Sequence, residues 1–120
     1  MAEHNELGKI GEEIAVLHLL KQGYQILARN FKFDRAEIDI VAKTEEGIVV
    51  FVEVKTRHTD FFGDPESFVK PGKIKQLVKA ADGYITLFEV DSDIRFDVIG
   101  IIKNKKEERI KHLVDAFYYF

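Results

Sequence analysis

Two short segments carry side chains whose types and spacing could do chemistry. Glu37-Ile38-Asp39 sets two carboxylates two residues apart, and Glu53-Val54-Lys55 sets a carboxylate and an ammonium two residues apart. Side chains i and i+2 of a β-strand share a face, so each pair points one way if its segment is a strand. Neighbouring carboxylates repel, and burial disfavours their charged forms further. A divalent cation removes that conflict, and hard oxygen ligands suit Mg²⁺ or Mn²⁺. A lysine beside such a metal can orient or help deprotonate a water, or stabilise a pentavalent phosphorus. The chemistry implied is metal-assisted phosphodiester hydrolysis. A lone Glu-X-Lys at a strand end is more often a solvated cross-strand pair. The acids of the preceding segment, and Glu12 on a helix before it, weigh against that plainer reading.

These residues need elements to position them. Residues 5–22 read as a helix, with Asn5 as its cap and Gly23 just past its end. Leu7, Ile10, Ile14 and Leu17 form one stripe at helical spacing. Gly8, Gly11, Ala15 and Leu19 form a second, whose small residues allow close approach to a sheet. Two such stripes predict a helix covered on more than one side. Glu12 borders the small-residue strip, where a carboxylate is badly placed for solvation alone. Residues 24–31, 37–43 and 48–55 read as strands, with a hairpin-length turn at 44–47. The third is nearly continuous in β-branched residues, as a central strand would be. Residues 71–86 read as a second helix opened by Pro71. Residues 94–102 and 109–118 complete the set as strands. The order αβββαβ(β) predicts an α/β fold, a mixed central sheet flanked by helices. Antiparallel pairing about the turn should bring Glu37 and Asp39 to the same end of the sheet as Glu53 and Lys55.

Length and composition narrow the classes further. The 120 residues predict a single domain, 1–120, and 46% hydrophobic with 32% charged residues is a globular balance. There is no cysteine, which excludes disulfides, thiolate chemistry and cysteine-based metal centres. No apolar run is long enough for a membrane span, and the polar, acidic N-terminus does not read as a signal peptide. The expected location is cytoplasmic. Net charge is −3, mildly unfavourable to nucleic acid as a partner. The charge is nevertheless segmented. Residues 54–79 carry six basic against three acidic groups, 103–112 five against two, and 80–102 one against five. A basic face on an acidic protein is therefore possible.

Taken in order, the chain resembles a known family. The resemblance rests on Gly11-Glu12-X-X-Ala15, Gly23-Tyr24-X-Ile26, Asn30, Glu37-Ile38-Asp39-Ile40-Val41, Val50-Phe51-Val52-Glu53-Val54-Lys55-Thr56-Arg57, Phe62-Gly63-X-Pro65, Lys73 and Arg95-Phe96-Asp97-Val98. Together these resemble the YraN family, bacterial proteins similar to archaeal Holliday-junction resolvases of the PD-(D/E)XK nuclease superfamily. The likeness spans essentially the whole chain. It implies a restriction-endonuclease-like core and a Mg²⁺- or Mn²⁺-dependent endonuclease acting on DNA, branched DNA such as Holliday junctions in particular. By this resemblance Asp39, Glu53 and the backbone carbonyl of Val54 hold the metal, and Lys55 places the attacking water. Glu12 matches the first-helix glutamate, and Glu37 is an accessory acid. Ile38 stands where the signature usually has proline.

Arg57, Lys73, Lys75 and Lys79 are the candidate DNA contacts, each weighed against a plain solvated charge. The loop 58–66, with Phe61, Phe62 and Gly63, reads as a capping loop, with stacking on a branched substrate as its alternative. Arg95 and Asp97 read as a structural ion pair. The four histidines show no metal-binding spacing. The aromatic C-terminus is expected to pack the last strand, and a symmetric homodimer would suit a four-way junction. Two other functions fit the same fold: a non-catalytic nucleic-acid-binding protein and a protein-interaction module.

Overall fold

The chain turns back on itself between β2 (Ala36–Lys43) and β3 (Val49–Arg57). The Thr44 amide donates to the Ile48 carbonyl at 2.9 Å, and the Ile48 amide donates to Thr44 Oγ1 at 3.0 Å. This closed turn fixes an antiparallel register running from Lys43 opposite Val49 to Ile40 opposite Val52. The computed structural model describes residues 2–61, 63–67 and 69–117. Among them β1 (Gln25–Phe33) pairs antiparallel with β2, and β4 (Ile94–Lys103) runs parallel to β3. β5 (Glu108–Leu113) is antiparallel to β4, giving the sheet order β1-β2-β3-β4-β5. Helix α2 (Pro71–Leu87) carries the chain back between β3 and β4, as a parallel pair requires. The expected mixed sheet between helices is present.

Each helix covers one face. Helix α1 (Ala2–Lys21) buries Ala15 and Leu19 on Ile40, Ala42, Val50, Val52, Ile99 and Ile101. Helix α2 buries Leu77, Ala80, Ala81 and Tyr84 on Ile38, Val41, Val49, Phe51 and Phe96. β3 is central and buried from Val49 to Glu53, which accounts for its β-branched run. Helix α1 ends in a hydrogen-bonded cap: the Gly23 amide donates to the Leu20 carbonyl and the Tyr24 amide to the Leu19 carbonyl. Gly23 holds φ +90°, a conformation glycine adopts without strain.

Three expectations change. Helix α1 starts at Ala2, so Asn5 lies within it and not at its cap. Gly11, Ala15 and Leu19 of the small-residue strip are buried and Ile14 is partly covered, whereas Ile10, Leu17 and Leu20 remain 45%, 57% and 50% exposed. The small strip wins the sheet because it lets the helix come closer. The last strand stops at Leu113 and not at 118, because Asp115 adopts φ +56° and turns the chain. The Ala116 amide then donates to the Phe96 carbonyl at 2.7 Å, and Phe117 stacks on Phe96 with centroids 5.0 Å apart. Residues 118–120 of the aromatic terminus lie outside the described residues. In the 58–66 loop Phe61 is exposed, Phe62 lies outside the described residues, and Pro65–Ser67 form a 3₁₀ turn that the sequence reading missed. Among the described residues no helix is long and apolar enough to cross a membrane.

Candidate active site

The two central strands part where the chemistry was expected. Their pairing ends at Ile40 opposite Val52, and one residue on, the side chain of Asp39 replaces the missing ladder bond. Its Oδ2 accepts from the Val54 amide at 2.8 Å. Strand alternation fails here: Ile38 joins the core under α2, whereas Ile40 joins the core under α1. On the other side of β2, Asn30 stands between the paired positions Arg29 and Phe31 with φ +52°. The assumption that Glu37 and Asp39 share a face along a regular strand therefore does not apply at this point.

Glu53 is 4% exposed. Its Oε2 lies 3.8 Å from Lys55 Nζ and 3.6 Å from Lys73 Nζ, the latter reaching down from the first turn of α2. Its Oε1 is buried and receives no hydrogen bond. Burial pushes the Asp39 carboxyl up to about 7, and the adjacent Glu53 charge adds to this. The Val54 amide and the Lys73 ammonium oppose the shift without cancelling it. The two carboxyls form a close buried pair: Asp39 retains a proton that it shares with Glu53, and the rest of the chain gives Glu53 Oε1 no donor. A hard divalent cation fits that donor set.

A cleft of about 300 Å³ opens beside Asp39, lined among others by Glu12, Asp39, Val54, Lys55, Thr56 and Arg57; the buried Glu53 is not among its lining residues. Gly11 sets its depth: a Cβ there would fall on the Thr56 hydroxyl, so glycine lets α1 lie close against β3. Glu12 thereby reaches the cleft, but its carboxylate is already engaged. Asn30 Nδ2 donates to both of its oxygens at 3.1 Å, and Arg29 lies 3.6 Å away. Among the described residues no three acidic or imidazole groups converge tightly enough to ligate one ion.

The other expected residues are distributed as follows. Val54 and Lys55 line the cleft, and Arg57 stands exposed at its rim, Nη1 donating to the Thr56 carbonyl at 3.0 Å. Glu37 is half-buried opposite Lys32 on β1 and is not among the residues lining the cleft. Lys73, expected on DNA, reaches Glu53. Lys75 is exposed, and Lys79 lies 3.1 Å from Asp34. Two participants were missed. Asn30 was noted in sequence but given no partner, and nothing local pairs it with Glu12. Glu66 is buried against Gly100, which is in register with Lys55; no local pattern signals that approach.

A second polar cluster occupies the other end of the sheet. The buried Asp97 accepts four hydrogen bonds, two from Arg95 and one each from His112 Nε2 and the Asp115 amide. Burial alone would raise its pKa, but these bonds more than reverse that and hold it below the usual carboxylate range. The expected Arg95–Asp97 ion pair is present at 2.8 Å, and Arg95 also donates to the Tyr24 hydroxyl at 2.7 Å. His18 lies 3.1 Å from His112, and burial followed by the His112 charge lowers its pKa. A cleft of about 410 Å³ opens beside this cluster, away from the Asp39–Glu53 pair. Its polar groups pin α1, β4 and β5 together.

Fold and site together define a class: an α/β protein whose central strands part around an acid pair faced by two lysines. Within it the chain belongs to the family described as "Uncharacterised protein family UPF0102", whose profile matches residues 11–101. This is the family that the sequence resemblance indicated as YraN. A UPF0102 protein of Flavobacterium psychrophilum, FP2501, is 53% identical over 120 residues, covering all of both chains. One from Christiangramia forsetii is 52% identical over the same full span. One from Bacteroides thetaiotaomicron is 49% identical over 118 residues, 98% of this chain and 97% of that one. Among solved structures, "The structure of Pyrococcus Furiosus SfsA in complex with Ca2+" aligns with a TM-score of 0.39 and 18% identity. It covers 91% of this chain and 62% of that chain. A likeness that distant carries nothing about the site.

Proposed function

We propose that this protein is a divalent-metal-dependent DNA endonuclease, with Asp39 and Glu53 as its metal-holding carboxylates. The observation that carries the reading is the buried Asp39–Glu53 carboxyl pair, which holds a shared proton to about pH 7 and whose Glu53 Oε1 has no donor from the rest of the chain. Bound Mg²⁺ or Mn²⁺ would supply a Lewis acid and a lowered water pKa. Asp39, Glu53 and the carbonyl of Val54 are the groups that would hold it. The residues of the chain do the rest. Lys55, on the cleft wall, orients a water and offers positive charge to a phosphoryl oxygen. Lys73, from the first turn of α2, balances the same Glu53 oxygen. Arg57 at the rim is placed for a phosphate of the incoming strand. Glu12, steadied by Asn30, shapes the cleft wall and is within reach as an outer acid.

The substrate preference we propose, branched over linear DNA, is supported by the resemblance to junction resolvases. A net charge of −3 gives little long-range pull on a plain duplex. The test is a cleavage assay on linear, flap and four-way substrates with Mg²⁺ and with Mn²⁺, comparing wild type with Lys55→Ala. Metal-dependent cutting that Lys55→Ala abolishes supports the reading. No cutting of any substrate by a folded wild type that binds Mn²⁺ would return the protein to the non-catalytic binding class.

A further inference from the structure

Charge on this molecule is sorted by the topology. β3 and β4 are parallel, so both finish at the end where the cleft beside Asp39 lies, and both begin at the other end. The turns at the starting end, 44–47 and 88–93, carry Glu45, Glu46, Glu89, Asp91 and Asp93. All five are exposed, and none forms an ion pair among the described residues. At the finishing end the turn joining β4 to β5 carries Lys105 and Lys106, exposed and likewise without an ion pair among the described residues. The β4–β5 turn thus presents unpaired lysines at the finishing end, whereas the turns at the starting end carry an excess of unpaired carboxylates over the exposed Lys21 and Lys43 there.

The lysine-bearing hairpin is fastened in place. Asn104 Nδ2 donates to the His58 carbonyl at 2.7 Å, and Asn104 Oδ1 accepts from the Lys106 and Glu107 amides at 2.8 and 3.0 Å. His58 Nδ1 donates to the Lys103 carbonyl at 3.2 Å. Arg109 joins the start of β5 to Asp60 at 2.7 Å. His58 follows Arg57 directly, and Arg57 is in register with Ile102. Strand spacing and rise place the lysines roughly 10–15 Å from Arg57, a distance that about three or four phosphates of one strand would span. Holding them rigidly lowers the ordering cost of contacting a backbone.

We infer that the β4–β5 hairpin, through Lys105 and Lys106, is a phosphate-backbone contact for the DNA strand that enters the cleft, with Asn104 fixing its position and the acidic pole turning the duplex away from the opposite end. This rests on the nuclease reading of the cleft. It assigns the contact to a hairpin outside the α2 lysines that the sequence suggested.

The test is the salt dependence of binding, measured by fluorescence anisotropy on labelled duplex and four-way DNA in EDTA, from 50 to 200 mM NaCl. Three proteins are compared: wild type, Lys105→Ala/Lys106→Ala, and Lys21→Ala/Lys43→Ala, whose exposed lysines lie at the acidic end. Both doubles change net charge equally. The hairpin double should flatten the slope of log Kd against log salt by about 1.8, two phosphate contacts' worth. The control double should leave the slope unchanged. Asn104→Ala, which removes no charge, should weaken binding about threefold or more while Mn²⁺ affinity stays at the wild-type value. Equal slopes for the two doubles, or a hairpin double that matches wild type, overturn the hairpin alone. A wild type that binds Mn²⁺ but neither DNA at 50 mM salt overturns both the hairpin and the nucleic-acid reading.

Discussion

Replacing Asp39 with Asn should stabilise the metal-free protein, and only above a definite pH. The native carboxyl holds its proton to about pH 7, whereas the unfolded side chain releases it near 3.8. The native state therefore binds more protons than the unfolded chain between those values, and stability falls as pH rises through that window. The penalty is absent below about 3.8, grows to about 7, and is complete above it. A rise from 3.8 to about 7 sets a ceiling of about 4 kcal/mol. Burial supplies the largest part of that rise and the neighbouring Glu53 charge the next, so the ceiling is not all recovered when one side chain is replaced. Asn keeps an oxygen for the Val54 amide and offers Glu53 a donor in place of a second charge. A net gain of about 2 kcal/mol follows, or about 8 °C in melting temperature for a chain of this size. Thermal unfolding by circular dichroism in EDTA at pH 8, 6 and 4 measures it. The gain should be full at pH 8, reduced at pH 6 and gone at pH 4. A destabilised variant at pH 8, or a gain independent of pH, refutes the reasoning.

Lys73→Ala should tighten Mn²⁺ binding several-fold by calorimetry, because it removes a cation competing for Glu53, and should lower the melting temperature of the metal-free protein. Lys55→Ala should keep Mn²⁺ affinity and the fold but lose at least about 100-fold in cleavage rate, since the water loses its positioning group. Asp97→Asn should cost about 3 kcal/mol by denaturant unfolding at pH 7, having broken a buried charge network. With its folded pKa depressed, Asp97 contributes above the unfolded value near 3.8 and loses that contribution as pH falls below it, so wild type and variant should converge in acid. Gly11→Ala should destabilise by about 1–3 kcal/mol, because its Cβ lands on Thr56; a neutral result would mean that α1 can ride outward at no cost.

Much of the fold was legible because local pattern and tertiary placement agree. The β-branched run of 48–55 is a central strand, the 44–47 turn fixes the register of its neighbour, and Pro71 and Gly23 mark helix boundaries. Residue type, two-residue spacing and the family resemblance pointed to Asp39, Glu53 and Lys55, which the structure sets in one neighbourhood. What escaped depends on distance in space. The parting of β2 and β3 at Asp39 breaks the two-residue period on which the face assignment relied. Lys73 reads as a surface lysine until α2 is laid over Glu53. Helix α1 offers two apolar stripes, and only the sheet's shape decides that Gly11, Ala15 and Leu19 turn inward and Leu17 outward. His18 and His112 meet across 94 positions, beyond any spacing rule.

The central claim is that Asp39 and Glu53 form a cation site, and calorimetric titration of Mn²⁺ at pH 8 tests it most directly. Wild type should show saturable binding, lost in both Asp39→Asn and Glu53→Gln, with Lys21→Ala/Lys43→Ala indistinguishable from wild type. Near pH 7 the wild-type heat should vary with buffer ionisation enthalpy, because binding expels the proton that Asp39 retains. A wild type without saturable binding, or binding that survives both substitutions, contradicts the account.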